Sequence, residues 1–350
     1  MRARIIRTGL DALYLTRAFR LLERRWAGMG LVFMLHHIKP TRESASRFHP
    51  NGILEITPEF LATVIGHLKA SGIELISLGQ AVNRLVSGES GGRFACFTID
   101  DGYRDNFQNA LPVFRRFDCP FAVFVATGIV DGTTELWWLG LEEALAVNER
   151  VTVVLDGTER TFETATDAAK QEAYEAIYWP MRAMPEKEQR AFIRDLCEKC
   201  GVDLAKIRDR EAMNWHEVRR MADDPLVTIG AHTVDHFALA KLEPDDAMHE
   251  LTRSRERIAE ETGRAPEFFC YPYGDPGSAG PRDFDLAARA GYRAAFTTRK
   301  GMVFPEHTSH LHALPRVSLN GDYQALRYVD LYLSGAPFAL WNRFRRIDAA

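Results

Sequence analysis

The sequence has no hydrophobic run long enough to cross a bilayer, which argues against a membrane-spanning helix. Its first 26 residues are interrupted by arginines throughout and lack the apolar core of a secretory signal, so we expect a cytoplasmic protein. Cysteine is scarce and odd in number, five in 350 residues, which favours reduced thiols over a disulfide framework. The net charge of −4 implies no general affinity for nucleic acid. No internal repeat or low-complexity segment is present.

The most informative stretch is Phe94–Gly102, in which an apolar run ends in two adjacent carboxylates. The run Phe94–Ile99 has the length and composition of a short buried strand. Two negative charges at its rim, Asp100 and Asp101, are costly unless a metal ion, a cation or several hydrogen bonds hold them. A polar strand end followed by an Asp-Gly turn explains the motif equally well, so the rest of the chain must decide.

Other apolar runs also end in polar side chains. They are Gly30–Leu35 before His36 and His37, Leu226–Ala231 before His232 and His236, and Phe268–Tyr271 before Tyr273. Helical patterns separate these runs, so we predict an α/β protein with a parallel sheet covered by helices. Because the carboxyl ends of parallel strands meet at one rim, the polar residues are expected to share a site.

The spacing of His232 and His236 points to a metal ion. On a helical turn, residues four apart present both imidazoles on one face. With one carboxylate they offer two nitrogens and one oxygen and leave a position open for water, as in hydrolytic zinc sites. A bound divalent cation lowers the pKa of such a water to ~7.

Residues 132–225 break the alternation and are interpreted as a mostly helical insertion or lid. The segment contains a candidate hairpin around Asp156-Gly157. Trp137 and Trp138 could line a sugar-binding cleft, although ordinary packing is the better explanation for any single tryptophan.

Both ends of the chain are basic and amphipathic. We predict a single N-terminal helix over residues 1–28 and a helical tail over residues 323–350, around a catalytic domain over 29–322. Residues 1–26 carry seven arginines against two acidic residues, a net charge of +5. Packing on the domain with a solvated basic face explains this pattern. The alternative is peripheral contact of residues 1–26 and 325–346 with an anionic membrane surface, on the inner face of the membrane.

Together the motifs resemble those of the polysaccharide deacetylases, the nodulation-protein-B-type esterases of carbohydrate esterase family four. Residues 98–102 match the T-F-D-D-G motif with Ile99 for Phe, and residues 232–236 match H-[ST]-x-x-H in full. The R-x-P-Y motif is matched only in its last part, because Cys270 stands where the family has Arg. The resemblance covers roughly residues 30–320 and implies an irregular (β/α) barrel with a helical insertion.

The resemblance implies a role for each motif residue. It makes Asp100 the general base, Asp101, His232 and His236 the metal ligands, and the Tyr273 backbone N–H an oxyanion donor. Arg316 is a candidate substitute for the missing arginine, and Tyr271 joins Trp137 and Trp138 as a candidate substrate contact. The family's C-terminal L-x-H motif is not found. Leu35-His36-His37 resembles the leading strand of a permuted branch, so we assign the catalytic acid to His37, with His36 as the second choice.

The expected activity is hydrolysis of an N-acetyl group from an amino sugar, with one divalent metal ion, zinc in the first place and cobalt, nickel or manganese as alternatives. The substrate would be an oligosaccharide, a lipid-linked sugar or a polysaccharide precursor. The alternatives are an amide hydrolase acting on a small metabolite and a non-catalytic carbohydrate-binding relative. A glycosidase is disfavoured, because adjacent Asp100 and Asp101 cannot straddle a glycosidic bond at the ~5–9 Å its mechanism needs.

Overall fold

The computed structural model describes residues 2–41, 46–89 and 91–349. Strands and helices alternate along most of this chain, as the sequence pattern predicts. The strands are β1 (Gly30–Leu35), β2 (His37–Ile38), β3 (Glu55–Ile56), β4 (Glu74–Leu75), β5 (Phe94–Ile99), β6 (Phe121–Val125), β7 (Arg150–Leu155), β8 (Thr158–Glu163), β9 (Val227–Ala231), β10 (Phe268–Cys270), β11 (Ala294–Phe296) and β12 (Val317–Ser318). The helices are α1 (Arg2–Leu15), α2 (Phe19–Trp26), α3 (Pro58–Ala70), α4 (Leu78–Ser87), α5 (Leu111–Arg116), α6 (Thr127–Asp131), α7 (Trp137–Val147), α8 (Asp167–Ala183), α9 (Glu186–Lys199), α10 (Leu204–Glu211), α11 (Trp215–Ala222), α12 (Pro244–Thr262), α13 (Pro281–Arg289), α14 (Leu326–Ser334) and α15 (Ala336–Trp341).

One parallel sheet forms the centre of the fold and curls into an irregular barrel. Its order is β11-β10-β9-β6-β5-β1-β12, with β4 paired to the start of β5. The two ends of the sheet approach each other because the N–H of Thr297, just after β11, donates to the carbonyl of Leu314 at 2.9 Å. Val317 of β12 then pairs with Phe33 of β1. The predicted irregular barrel is confirmed, and the first and last strands of the barrel lie side by side.

Side chains of the barrel strands alternate between two buried layers, as the pleat requires. Leu31 and Leu35 of β1 belong to the large cluster that the sheet shares with α3 and α5. Val32 belongs to a second cluster with Cys96 of β5 and Cys270 of β10, which fills the barrel interior together with residues of α4. Even-numbered positions of β1 and β5 therefore point into the barrel, and odd-numbered positions point toward the surrounding helices.

The predicted insertion contains helices α7 to α11 and the antiparallel hairpin β7–β8. Asp156 and Gly157, with φ of 52° and 73°, form the two-residue turn of this hairpin, as predicted. Most residues of a third hydrophobic cluster come from the insertion, among them Trp137, Trp138 and Leu141 of α7, and Tyr103 joins them from the barrel. The ring of Trp138 lies 4.9 Å from that of His236, so the insertion covers the carboxyl-terminal end of the barrel.

The two ends of the chain pack against each other beside the barrel. The Asp11 carboxylate of α1 accepts hydrogen bonds from Arg327 Nε and Tyr328 Oη of α14, each at 2.9 Å. The predicted single N-terminal helix is two helices, because Arg17 adopts a left-handed φ of 58° between α1 and α2. Met1 and Ala350, the outer limits of the predicted end segments, lie outside the described residues. No helix within the described ranges is long and apolar enough to cross a membrane.

Candidate metal centre and catalytic site

A sharp turn after β5 sends two adjacent carboxylates to different places at the barrel mouth. Asp101 and Gly102 adopt left-handed φ angles of 73° and 78°, so Asp101 leaves the strand direction that Asp100 still follows. Asp101 Oδ1 then lies 3.3 Å from His232 Nε2 and 3.2 Å from His236 Nε2. All three side chains are buried. The sequence prediction that these distant residues converge is met by this geometry.

The three side chains fit a divalent cation. Asp101 Oδ1 is buried and accepts no hydrogen bond from the described part of the chain. The Nδ1 of His232 donates to the Cys270 carbonyl at 2.7 Å, which directs its Nε2 toward Asp101. Although burial acts in the opposite direction, Cys270 and Asp101 raise the pKa of His232, and a bound cation would take the place of the proton on Nε2. Burial lowers the pKa of His236 to about 4, which keeps this imidazole neutral at pH 7. Burial favours the neutral form of the Asp101 carboxyl, but the two imidazoles hold the pKa of Asp101 well below its ordinary value. A carboxylate and imidazole nitrogens around one point form a suitable donor set for zinc.

The two histidines lie on an irregular loop after β9, so the predicted helical turn is wrong. Left-handed backbone at His236, with φ of 56°, brings its ring back toward His232. The Glu250 carboxylate of α12 fixes the loop by accepting hydrogen bonds from the N–H groups of Val234 at 2.8 Å and Asp235 at 3.0 Å. The convergence of the imidazoles therefore depends on a backbone turn stabilised from α12.

Arg316 binds the Asp100 carboxylate with a bidentate pair of hydrogen bonds. Its Nη1 and Nη2 donate to Asp100 Oδ1 and Oδ2, each at 2.7 Å. The other donors reach the Thr297 carbonyl at 3.0 Å, Thr98 Oγ1 at 2.9 Å and Cys270 Sγ at 2.8 Å, so all five N–H groups are used. Burial favours the neutral carboxyl, but this guanidinium holds the pKa of Asp100 below its ordinary value. Asp100 is therefore ionised at neutral pH and available to accept a proton.

His36 points to the same interior as Asp100. Leu35 pairs with Ile99 in the β1–β5 register, which sets His36 beside Asp100 at the next position. Burial lowers the pKa of His36 below 6.5, while the negative charges of Asp101 and Asp100 act in the opposite direction. Of His36 and His37, His36 is therefore the one that faces the two carboxylates.

His37, the first residue of β2, points to the side opposite to His36. Its Nδ1 lies 2.6 Å from Asp105 Oδ2, and its ring stacks on Tyr103 with centroids 3.6 Å apart. The side chain is 1% exposed. The structure thus brings His37, the first choice for the acid in the sequence, into contact with Asp105 and Tyr103 rather than with Asp100.

Tyr273 borders the metal-ligand residues and is held by the insertion. Its backbone is left-handed, with φ of 61°, and its N–H has no hydrogen-bond partner among the described residues. The hydroxyl accepts a hydrogen bond from Trp137 Nε1 at 2.9 Å, and the Arg182 guanidinium of α8 lies 3.5 Å from the ring centroid. The ring itself lies 4.9 Å from that of His236. A backbone donor is thus available next to the ligand set.

The three predicted substrate contacts have different surroundings. Trp138 is 5% exposed, and its Nε1 donates to Tyr103 Oη at 2.9 Å. Trp137 is fully buried, so both tryptophans are packed into the wall of the site and their contact with substrate stays a prediction. Tyr271 lies away from the mouth, because its odd-numbered position points outward and its hydroxyl donates to the His312 carbonyl at 2.9 Å.

Four residues of the site were missed in the sequence. Tyr103 and Asp105 directly follow the Asp100–Gly102 motif, and this proximity was a usable signal. Glu250 and Arg182 come from α12 and α8, far from any motif, and no local pattern marks them.

Comparison with known proteins gives a consistent result. The sequence profile of the polysaccharide deacetylase family matches residues 87–295, more than half of the chain. No protein sequence of curated function gives a significant match. Among solved structures, deacetylase PplD of Streptococcus pyogenes, in complex with acetate, aligns with a TM-score of 0.55 and 14% identity, covering 86% of this chain and 97% of its own.

Two further structures show the same likeness. IcaB from Ammonifex degensii aligns with a TM-score of 0.54 and 17% identity, covering 87% of this chain and 97% of its own. The BpsB deacetylase domain from Bordetella bronchiseptica aligns with a TM-score of 0.51 and 17% identity, covering 83% and 95%. At these identities the likeness is one of fold, and it agrees with the barrel described above.

Proposed function

Because the chain belongs to the polysaccharide deacetylase family and is thereby a carbohydrate N-deacetylase, we propose that it uses one divalent cation to remove the acetyl group of an N-acetylated amino sugar. Asp101, His232 and His236 would hold the cation, with zinc as the first choice and cobalt, nickel or manganese as alternatives. The substrate would be an oligosaccharide, a lipid-linked sugar or a polysaccharide precursor. The convergence of Asp101 with both imidazoles, beside an ionised Asp100, is the observation that supports this proposal most strongly.

In the first step, Asp100 takes a proton from the attacking water. When bound, the cation would polarise the acetamide carbonyl and so make its carbon easier to attack. Asp100 accepts one proton from the attacking water, while the water oxygen bonds to the carbonyl carbon. The Arg316 hydrogen bonds fix the orientation of Asp100 during this transfer. The N–H of Tyr273 donates to the oxyanion that forms on the former carbonyl oxygen.

In the second step, His36 donates a proton to the leaving group. The bond between the carbonyl carbon and the sugar nitrogen breaks, and this nitrogen needs a proton to leave as an amine. His36 shares the interior with Asp100, so we assign this donation to His36 in place of His37. Because burial lowers the pKa of His36, the proton that it delivers is the one that Asp100 took from the water, and both side chains return to their starting states. The products are acetate and the free amino sugar, and together they account for all atoms of amide and water.

The proposal is tested by measuring metal content and acetate release on the full-length protein. Purified protein should contain about one equivalent of a divalent metal per chain, as expected for one set of three protein ligands. It should release acetate from N-acetylated chitooligosaccharides or from an N-acetylglucosamine polymer, and chelation should abolish this release. Acetate or another acid released only from small amides would favour the metabolite hydrolase. Metal-loaded protein that binds these sugars without turnover would indicate a non-catalytic relative.

A further inference from the structure

An apolar groove of about 620 Å³ runs between the two ends of the chain. One wall is the α1 face that carries Leu10 and Leu13, and the opposite wall comes from α15. Val317 of β12 and Tyr323 also line the groove. Gly9 also lines it, and a Cβ placed there would meet no atom within 4 Å, so the groove has room beside this residue. The groove is long, apolar and open to the surface.

The groove lies on the outer side of the barrel at β12, next to the arginine that binds the general base from the inside. Val317 lines the groove, and its neighbour Arg316 points inward and binds Asp100. Ser318, which also lines the groove, pairs with Met34, two residues before His36. The groove therefore reaches the carboxyl end of β12, the end of the strand that lies at the barrel mouth.

The rim of the groove combines exposed apolar side chains with positively charged chain ends, as helices that bind membrane surfaces do. Leu340 and Trp341, both of which line the groove, are 51% and 49% exposed, and Ile5 of α1 is 66% exposed. Residues 1–26 have a net charge of +5 and residues 325–346 a net charge of +3, so the remainder of the chain has −12. Exposed apolar and aromatic side chains next to arginines are typical of segments that bind anionic membranes.

We propose that this groove takes the hydrocarbon chain of a lipid-linked N-acetylated sugar presented at an anionic membrane surface. The inference rests on the proposed deacetylase function and names its substrate class. The net charge of the two chain ends, +8 together, complements anionic lipid and opposes association of two copies through these ends. A substrate whose sugar enters the mouth can pass its chain over the rim at Ser318 into the groove.

The first test separates the lipid chain from the sugar. The full-length enzyme is assayed on dodecyl and methyl glycosides of N-acetylglucosamine, below the micelle concentration. We expect kcat/KM to be about tenfold or more higher for the dodecyl glycoside, because several CH₂ groups are buried on binding. Gly9→Phe, which places a ring in the groove, should bring this ratio to about one. Equal rates for both glycosides in the wild type would overturn the inference and leave the deacetylase function standing. Absence of acetate release from either would mean that the proposed function itself is wrong.

The second test concerns the membrane. Wild-type protein should sediment with phosphatidylglycerol-containing vesicles and stay in solution with phosphatidylcholine alone. Leu340→Glu should weaken this sedimentation, while Val154→Glu, at an equally exposed position on the β7–β8 hairpin, should not. The proposed membrane contact would be wrong if the wild type failed to sediment with the anionic vesicles, or if both variants lost sedimentation equally.

Discussion

The two halves of the barrel mouth satisfy their carboxylates in different ways. On the base side, defined by Asp100 and Arg316, both carboxylate oxygens accept hydrogen bonds from a guanidinium with no unused donor. On the ligand side, defined by Asp101, His232 and His236, a buried carboxylate oxygen faces two imidazole nitrogens and accepts no hydrogen bond from the residues that the structure describes. The base side is thus complete with protein atoms alone, whereas the ligand side is a site that a cation would complete.

The largest expected effect separates the two sides. His232→Ala removes a metal ligand, so the variant should lose both bound metal and acetate release. Asp100→Asn should retain the metal and lower kcat by ~10²–10⁴, the usual contribution of a general base. Metal analysis and an acetate assay on the same preparations check this difference. Wild-type turnover in Asp100→Asn would show that the base is another group.

The next effect tests how Asp100 is held. Arg316→Gln leaves a buried carboxylate without its partner, which costs ~3–5 kcal/mol of stability and raises the pKa of Asp100. Since the base must be ionised, the acidic limb of the pH–rate profile should move to higher pH. Metal content should not change.

A second variant separates this positioning role from a general loss of stability. Cys270→Arg combined with Arg316→Gln places an arginine where the family motif has one, and Cys270 Sγ already lies 3.6 Å from Asp100 Oδ2. The double variant should regain activity and the wild-type acidic limb relative to Arg316→Gln alone. Arg316→Lys, which keeps the charge but not the fork, should recover less. Failure of the double variant, when folded, to regain either would argue against a positioning role.

The acid is tested by the leaving group. His36→Gln should lower the rate on an N-acetyl sugar by ~10²-fold or more, since general acids contribute at least that much. The same variant should lose much less on p-nitrophenyl acetate, because this leaving group needs no proton. His37→Gln should show no such dependence on the leaving group. If the dependence followed His37 instead, the sequence-based choice of acid would be restored.

Strand alternation explains which parts of the site were predictable. The gathering of Asp100, Asp101 and the two histidines followed from the rule that carboxyl ends of parallel strands share a rim. The same alternation, applied with period two, would have set His36 inside with Asp100 and His37 outside, and Tyr271 outside as well. These differences arose because the rule was not carried past the strand ends.

Other parts of the site had no local signal. Arg316 was named only as a candidate, from the family resemblance, because it is 216 residues from Asp100 and its contact depends on β12 closing the barrel next to β1. Glu250 holds the loop of His232 from a helix that packs there only in the folded chain. The burial of Trp137 depends in the same way on how the insertion packs over the mouth. Tertiary contacts over such sequence separations are not encoded in periodicity or spacing.

The smallest expected effect lies outside both sides of the mouth, where His49 links the barrel to the insertion. Its Nδ1 lies 2.8 Å from Glu142 Oε1 of α7 and its Nε2 2.9 Å from Glu55 Oε2 of β3, and these carboxylates raise the pKa of His49 to about 9. Because the pKa of His49 is higher in the folded chain than the unfolded value of about 6.5, its protonation stabilises the fold. This contribution is complete below pH 6.5 and is lost as the pH rises toward 9. His49→Gln should therefore cost ~1 kcal/mol near pH 6, given the partial exposure of the group, and nothing near pH 10. Urea unfolding across this range checks the change, and an unchanged metal content would confirm that the link is independent of the ligand side. A difference between wild type and variant that did not vary with pH would show that packing, not charge, joins the insertion to the barrel here.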